Sequence, residues 1–404
     1  MKRILIIVGI FLAAVGIVVA GVLLHGGSTA PSTPTRSLPG GVLPLTGTGS
    51  NSTSKNAGNA ADGGTAPGQS SASLTAVSQA AVLDYAQNPQ MGLLMVDPSG
   101  AVILALSSET IVSQANFGKI LGAWFAPDGK WLLVESGDPA SSRWSLLNIA
   151  KKTWKDIVAN TSEMEWSPAG DELAYFARRT NGSMLTVFDP QSNSTKSLLS
   201  LSAPDLTLRW ENASHMLIMD RPSALVAGTI WSFSTTAGTL APFATNVAGA
   251  LVQWGAAQNS GLLFTAGPTG GTLAVVDSQG NIPVNTSFLT LPSKCAFGQG
   301  STASGTVDLS DYFFCAVPQN KSLFQSHQLP DDYLKKEFGT VDALYAVNLS
   351  SGTTVPIVPV GQTFSFDAGD VKVYGDTLYF VNQNDRRLYG ASLAGVTTAG
   401  GSDY

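Results

Sequence analysis

The sequence predicts an all-β chain folded as a β-propeller of four-stranded antiparallel blades, seven of them, with six as the alternative. Two observations carry this. A phrase made of an aromatic residue, a turn and an apolar run recurs: its aromatics Trp124, Trp166, Trp210 and Trp254 stand 42, 44 and 44 residues apart, and Phe297 follows 43 later. Between the phrases lie strand–turn–strand pairs such as "MLTVFDPQSNSTKSLL" and "ALYAVNLSSGTTVPI". Their Asp, Asn, Ser and Gly residues suit tight hairpins. Four short strands in a period of this length are the mark of a propeller blade, which buries its faces only by stacking on its neighbours.

At the N-terminus, Lys2 and Arg3 precede Ile4 to Leu24, 21 residues without a charge. A spanning helix needs roughly 17–25 residues, more than a secretion-signal core holds. Residues 1–25 therefore read as a transmembrane signal-anchor. The basic pair lies before the span, which puts the N-terminus in the cytoplasm and the rest of the chain outside. Residues 26–74 are Gly, Ser, Thr, Ala, Pro and Asn with few large apolar side chains. Such a stretch buries too little surface to offset its ordering entropy and reads as a flexible tether, spanning about 40 Å between ends by random-coil scaling. "LPLTG" at Leu43–Gly47 resembles a sortase sorting signal but lacks the hydrophobic and basic tail of one.

Residues 75–395 form the propeller domain, and 396–404 a flexible tail. Apolar runs follow the aromatics: "WLLVES", "ELAYFA", "MLIMD", "GLLFTA", then "YFFCAV" and "TLYFVN", with "VLDYAQ" before them as a first copy. In the best copies Pro127-Asp128-Gly129 and Pro168-Ala169-Gly170 turn the innermost strand into the second. The aromatic before each turn is expected to wedge between blades. A strand near Leu74–Ser78 is expected to complete the last blade and close the ring, removing both sheet edges.

"FAPDGKWLLVES" and "WSPAGDELAYFA" resemble the TolB-like propeller repeat: aromatic, Ser, Pro, Asp, Gly, a two-residue spacer and an apolar strand. The resemblance covers about residues 80–390, and Trp210-Glu211-Asn212 and Trp254-Gly255 depart from it by lacking the Pro. It implies a propeller that binds partners or substrates in the cell envelope, and no single activity.

Cys295 and Cys315 are the only cysteines. The blade scheme sets them on the innermost strand of the sixth blade and its neighbour, and an exported chain favours a disulfide between them. The same blade carries the largest departure from the repeat, residues 318–341. There "LPDDYLKKEFG" reads as a short helix opened by Pro330 and stopped at Gly339. This insertion shares a face with the loops between second and third strands. Together they supply the candidate binding residues Arg143, Arg178, Arg179, Arg221, His327, Asp331, Asp332, Tyr333, Lys335, Arg386 and Arg387. Arginine forks in loops suit partner recognition.

Some chemistries are excluded. Net charge is −6 and charged residues are 12% of the chain, so no basic face for nucleic acid exists. Of three histidines, His25 abuts the apolar run, His215 opens a strand and His327 lies in the insertion. None accompanies a nucleophile elbow. No metal-ligand spacing and no phosphate loop occurs, so no catalytic residue, metal or cofactor is assigned. The expected function is a membrane-tethered extracytoplasmic module that binds an envelope protein, peptide or glycan. The alternative is a hydrolase or lyase working in the central funnel.

Overall fold

In the computed structural model the described residues are 73–394, apart from 106–108, 158–160, 256, 302–306 and 359–364. They form seven four-stranded antiparallel sheets. The expected signal-anchor, nearly all of the tether, and the tail lie outside the described residues. Among the described residues no helix is long and apolar enough to cross a membrane.

Consecutive sequence fills each blade from the channel outward, and the last blade is closed by the first strand. Strand β1 (Leu74–Ala76) pairs antiparallel with Leu388–Ser392, setting Leu74 opposite Ala391 and Ala76 opposite Tyr389. The seam is tightened by Ser78, whose Oγ accepts from the Leu388 backbone N–H at 2.9 Å. Tyr85 of the first blade donates its hydroxyl to the carbonyls of Asp370 (2.5 Å) and Tyr379 (2.9 Å) in the seventh. The expected closing strand and seven-blade count are thus observed.

The apolar runs exist because each sheet is covered on both sides. In Trp131–Ser136, Leu132 and Val134 pack into the core shared with blade 1, while Trp131 and Leu133 pack into the core shared with blade 3. Seven such clusters lie one between each pair of neighbours, the seam between blades 7 and 1 included. The outermost strands meet water on one side and read as polar, as in Ser194–Leu201.

The turns between first and second strands also interlock around the ring. Gly129 has φ +65°, and a Cβ there would come within 2.8 Å of the Gln87 carbonyl of the preceding blade. Gly170 (φ +77°) sits in the same way on the turn at Asp128. A side chain at either site would suffer both backbone strain and a clash.

Two expectations need correction. "VLDYAQ" is the innermost strand of blade 1 (Asp84–Asn88), with Gly92–Val96 second, so the first blade is displaced by one strand from the sequence reading. Its turn at Asn88–Met91 is closed by the Asn88 side chain, which accepts from Gln90 and Met91 N–H, and therefore lacks the aromatic-Pro-Gly phrase. The aromatics also do not share one role. Trp166 reaches blade 2, donating its Nε1 to the Trp124 carbonyl at 3.2 Å, and Phe297 packs against Gly255 of blade 5. Trp124 is 43% exposed and stacks on Trp144 of its own blade.

Candidate functional site

The insertion leaves blade 6 after its second strand (Tyr312–Pro318) and returns at its third (Asp342–Asn348). It contains two short helices, α1 (Lys321–Ser326) and α2 (Asp331–Leu334). Sequence reading anticipated only the second, and made it longer. The Asn320 side chain caps α1 by accepting from Leu323 N–H. The insertion is strapped to the ring. Asp331 accepts from the Ala224 N–H of blade 4 at 2.6 Å. Asp332 accepts from Gln328 N–H. Phe324, Tyr333, Phe338 and His327 form one aromatic cluster, in which His327 stacks on Phe338 and the other contacts are edge-to-face.

Beneath it lies a sealed ionic cluster. Lys294, just before the innermost strand of blade 6, is 0% exposed. Its Nζ donates to Asp342 Oδ2 (2.7 Å), Asp367 Oδ1 (2.5 Å), Thr340 Oγ1 (2.9 Å) and the Ala368 carbonyl (2.9 Å). Tyr333 of α2 donates its hydroxyl to Asp367 at 2.9 Å, and the ammonium lies 5.0 Å from its ring centroid. Burial alone would push the Lys294 ammonium down, but Asp342, then Tyr333 and Asp367, hold it above its ordinary value. Burial likewise pushes Asp342 up, its Oδ1 having no hydrogen-bond partner among the described residues, whereas the Lys294 ammonium holds Asp367 below the usual range against the opposing effect of burial.

The expected disulfide is formed: Cys295 and Cys315 face each other across the first and second strands of blade 6 and are joined. It anchors the strand that Lys294 opens.

The candidate binding residues do not form one patch. By strand order Arg143, Arg178, Arg179, Arg221 and Arg387 stand on the rim of the insertion face, and all are exposed. Arg221 pairs with Asp205 at 3.3 Å. Arg386 turns inward at φ +63° and donates to Gln383 Oε1 at 2.6 Å. His327, Asp331, Asp332 and Tyr333 fasten the insertion instead of facing outward, while Lys335 is exposed and near Glu337. The same face carries apolar surface. Of nine exposed large apolar side chains among the described residues, five are Leu225, Val226, Leu323, Leu334 and Val341 of this face. The Asp331–Ala224 bond sets the Leu225–Val226 tip, 74% and 68% exposed, beside α2 and its Leu334.

A second constellation lines the central channel and was missed in the sequence. Arg209 Nη1 meets Glu165 Oε2 at 3.2 Å and Glu163 Oε1 at 3.6 Å across blades 3 and 4. Burial raises Glu163 to about 7 despite Arg209. On the other side Lys372 bonds Asp84 and the Tyr85 carbonyl, with Asp370 Oδ2 at 3.4 Å. Burial takes Asp370 up to about 7 against the pull of Lys372. A signal existed: the residue before the repeat aromatic is Glu165, Arg209 and Gln253 in three consecutive blades, where blades 2 and 6 have Ala123 and Ala296. Toward the end of the channel with the first-to-second-strand turns lies a cavity of about 300 Å³. Inner-strand and turn residues of six blades line it, among them Phe125, Gln253, Trp254, Gln258, Gln299 and Lys372. Among the described residues no group of three or more His, Cys, Asp or Glu is placed to hold a metal ion.

No family model matches the chain, and no curated protein matches it. The fold is similar to that of prolyl oligopeptidase B from Galerina marginata, with TM-score 0.51 and 10% identity over 82% of this chain and 51% of that one. TolB from Acinetobacter baumannii is similar at TM-score 0.41 and 12% identity, over 80% of this chain and 63% of that one. Acylaminoacyl peptidase from Pyrococcus horikoshii is similar at TM-score 0.41 and 12% identity, over 62% and 40%. The chain spans less than two thirds of the length of each.

Proposed function

We propose that this chain is a TolB-like binding propeller. In this reading Ile4–Leu24 and the tether hold it on the extracytoplasmic side of a membrane, and its insertion face docks another envelope protein or an exported peptide. The supporting observation is the strapped insertion. The insertion, fastened to the ring, presents Leu334 in water beside Leu225 and Val226 of the blade 4 loop bonded to it, and Arg221 and Lys335 border the three. Exposed apolar side chains gathered on one face mark interaction surfaces, and a pre-ordered patch loses less entropy on docking. In-cell crosslinking followed by capture tests this. Leu225→Asp with Val226→Asp should abolish the partner band while leaving the melting temperature unchanged. An undiminished band in the folded double variant would remove the face from consideration.

The second reading is a hydrolase or lyase in the funnel. Glu163, raised to about 7 beside Glu165, is suited to acid–base work at neutral pH. Against it, no histidine among the described residues lies in the channel, and Arg209 already bridges both carboxylates. Turnover of a chromogenic glycoside or ester panel that disappears in Glu163→Gln would favour this reading over docking alone.

A further inference from the structure

We infer that the channel cavity is a second binding site, on the face opposite the insertion, for one or two units of an uncharged sugar. The argument begins with position. The innermost strand of every blade is bonded on one side only. The channel wall is therefore a ring of strand edges offering neutral N–H donors and C=O acceptors.

Side chains extend that character. Gln253 donates its Nε2 to the Cys295 carbonyl at 2.9 Å, and Gln258 donates its Nε2 to the Gly298 carbonyl at 2.6 Å. Both amides are thereby oriented, and each Oε1 is left as an acceptor. Gln299, exposed at the same mouth, adds a third amide. Phe125, Trp254 and Phe297 add apolar aromatic side chains to the lining between them.

Charge selects against ions. Lys372 is the one charged side chain among the lining residues. It is already neutralised by Asp84 and Asp370. An anion would compete with those two carboxylates for it, and no carboxylate is among the lining residues to hold a cation. A ligand that both donates and accepts, carries no charge and offers a flat apolar face matches this lining, and a sugar ring has all three properties. A cavity of about 300 Å³ is at the lower end for small-molecule sites, which limits the occupant to one or two rings.

The site shares no residue with the docking face, so the two readings fail separately. The test uses the full chain in a detergent without a sugar headgroup. N,N′-diacetylchitobiose, cellobiose, galacturonic acid and an uncharged tripeptide amide are titrated, each to about 10 mM, enough to fill a ~1 mM site. Calorimetry and saturation-transfer NMR are the readouts. Saturable binding of at least one neutral disaccharide is expected, with galacturonic acid weaker. Gln258→Ala with Gln299→Ala should weaken it about tenfold, as expected for two lost hydrogen bonds. Ala257→Trp, a bulky change at an exposed lining position, should block it without disturbing a core. Lys321→Ala in the insertion should leave it unchanged. Binding of neither disaccharide overturns the inference. So does binding that survives both channel variants, and so does saturation by the tripeptide or by galacturonic acid in preference to both neutral disaccharides.

Discussion

Lys294 and Arg209 are each a cation held by two carboxylates where neighbouring blades meet, yet they stand in opposite relation to water. Lys294 is wholly enclosed, with Asp342 and Asp367 side chains 0% and 4% exposed. Arg209 keeps 36% of its side chain open to the channel, and Glu163 and Glu165 keep 27% and 29%. Enclosure makes an ion group structural, because losing one member leaves a buried charge with no partner. Openness lets water or a ligand replace a lost member, so the channel group is inexpensive to alter and available for recognition. The insertion stands on the first kind of group, and the candidate small-ligand site is lined by Lys372 of the other channel ion group.

The largest effect should come from the enclosed group. Lys294→Met removes the partner of two buried carboxylates and is expected to cost about 3–5 kcal/mol, read as the loss of midpoint in urea unfolding. The insertion should become protease-sensitive at the same time, since Tyr333 bonds through Asp367. A loss no greater than that of Arg209→Met would break the contrast between the two groups.

Next in size is the disulfide, on the strand that Lys294 opens. Cys295→Ala with Cys315→Ala opens a loop of 20 residues' separation, for which chain entropy gives about 3 kcal/mol. Non-reducing mass analysis of the parent chain should show no free thiol. Two alkylatable thiols after unfolding would contradict the pairing.

A smaller, pH-dependent effect belongs to Glu211, at the end of the innermost strand of blade 4. It is 1% exposed, its Oε1 has no hydrogen-bond partner among the described residues, and burial raises it to about 7. In the unfolded chain it releases its proton near pH 4.5. Its contribution to stability therefore falls as pH rises from about 4.5 to about 7 and stays low above that. Glu211→Gln should stabilise the protein by up to about 3 kcal/mol at pH 8 and by nothing near pH 4. Thermal unfolding at both pH values measures this, and equal shifts at both would show that the carboxyl does not titrate abnormally.

The smallest effect is expected at the rim. Arg178→Ala with Arg179→Ala should alter stability by less than about 0.5 kcal/mol, as exposed charges do. A larger drop in melting temperature would show that these arginines hold the ring together and do not serve the docking face.

How legible all this was varies with the distance over which each feature is decided. Gly129 and Gly170 could be read because a turn that needs positive φ records that need within four residues. The apolar run in Trp131–Ser136 could be read because burial on both sides is imposed on every position of the strand. Blade 1 was misplaced by one strand because its turn is closed by Asn88, without the repeat phrase. The channel charges were readable in part, as the polar residue before the aromatic in three consecutive blades, although nothing in the sequence says which of those residues pair.

The sequence by itself determined the architecture: a repeated local pattern has one economical way to bury both faces of every sheet, and that way is a closed ring. It also determined the cysteine pair, since adjacent strands of one blade are neighbours in the chain. Only the tertiary structure decided the ionic groups and the cavity. Lys294 finds its partners 46, 48, 73 and 74 residues away, and the cavity draws on six blades. Side-chain charge is written at each position, but whether it is sealed, shared or open to a ligand depends on what the ring brings beside it.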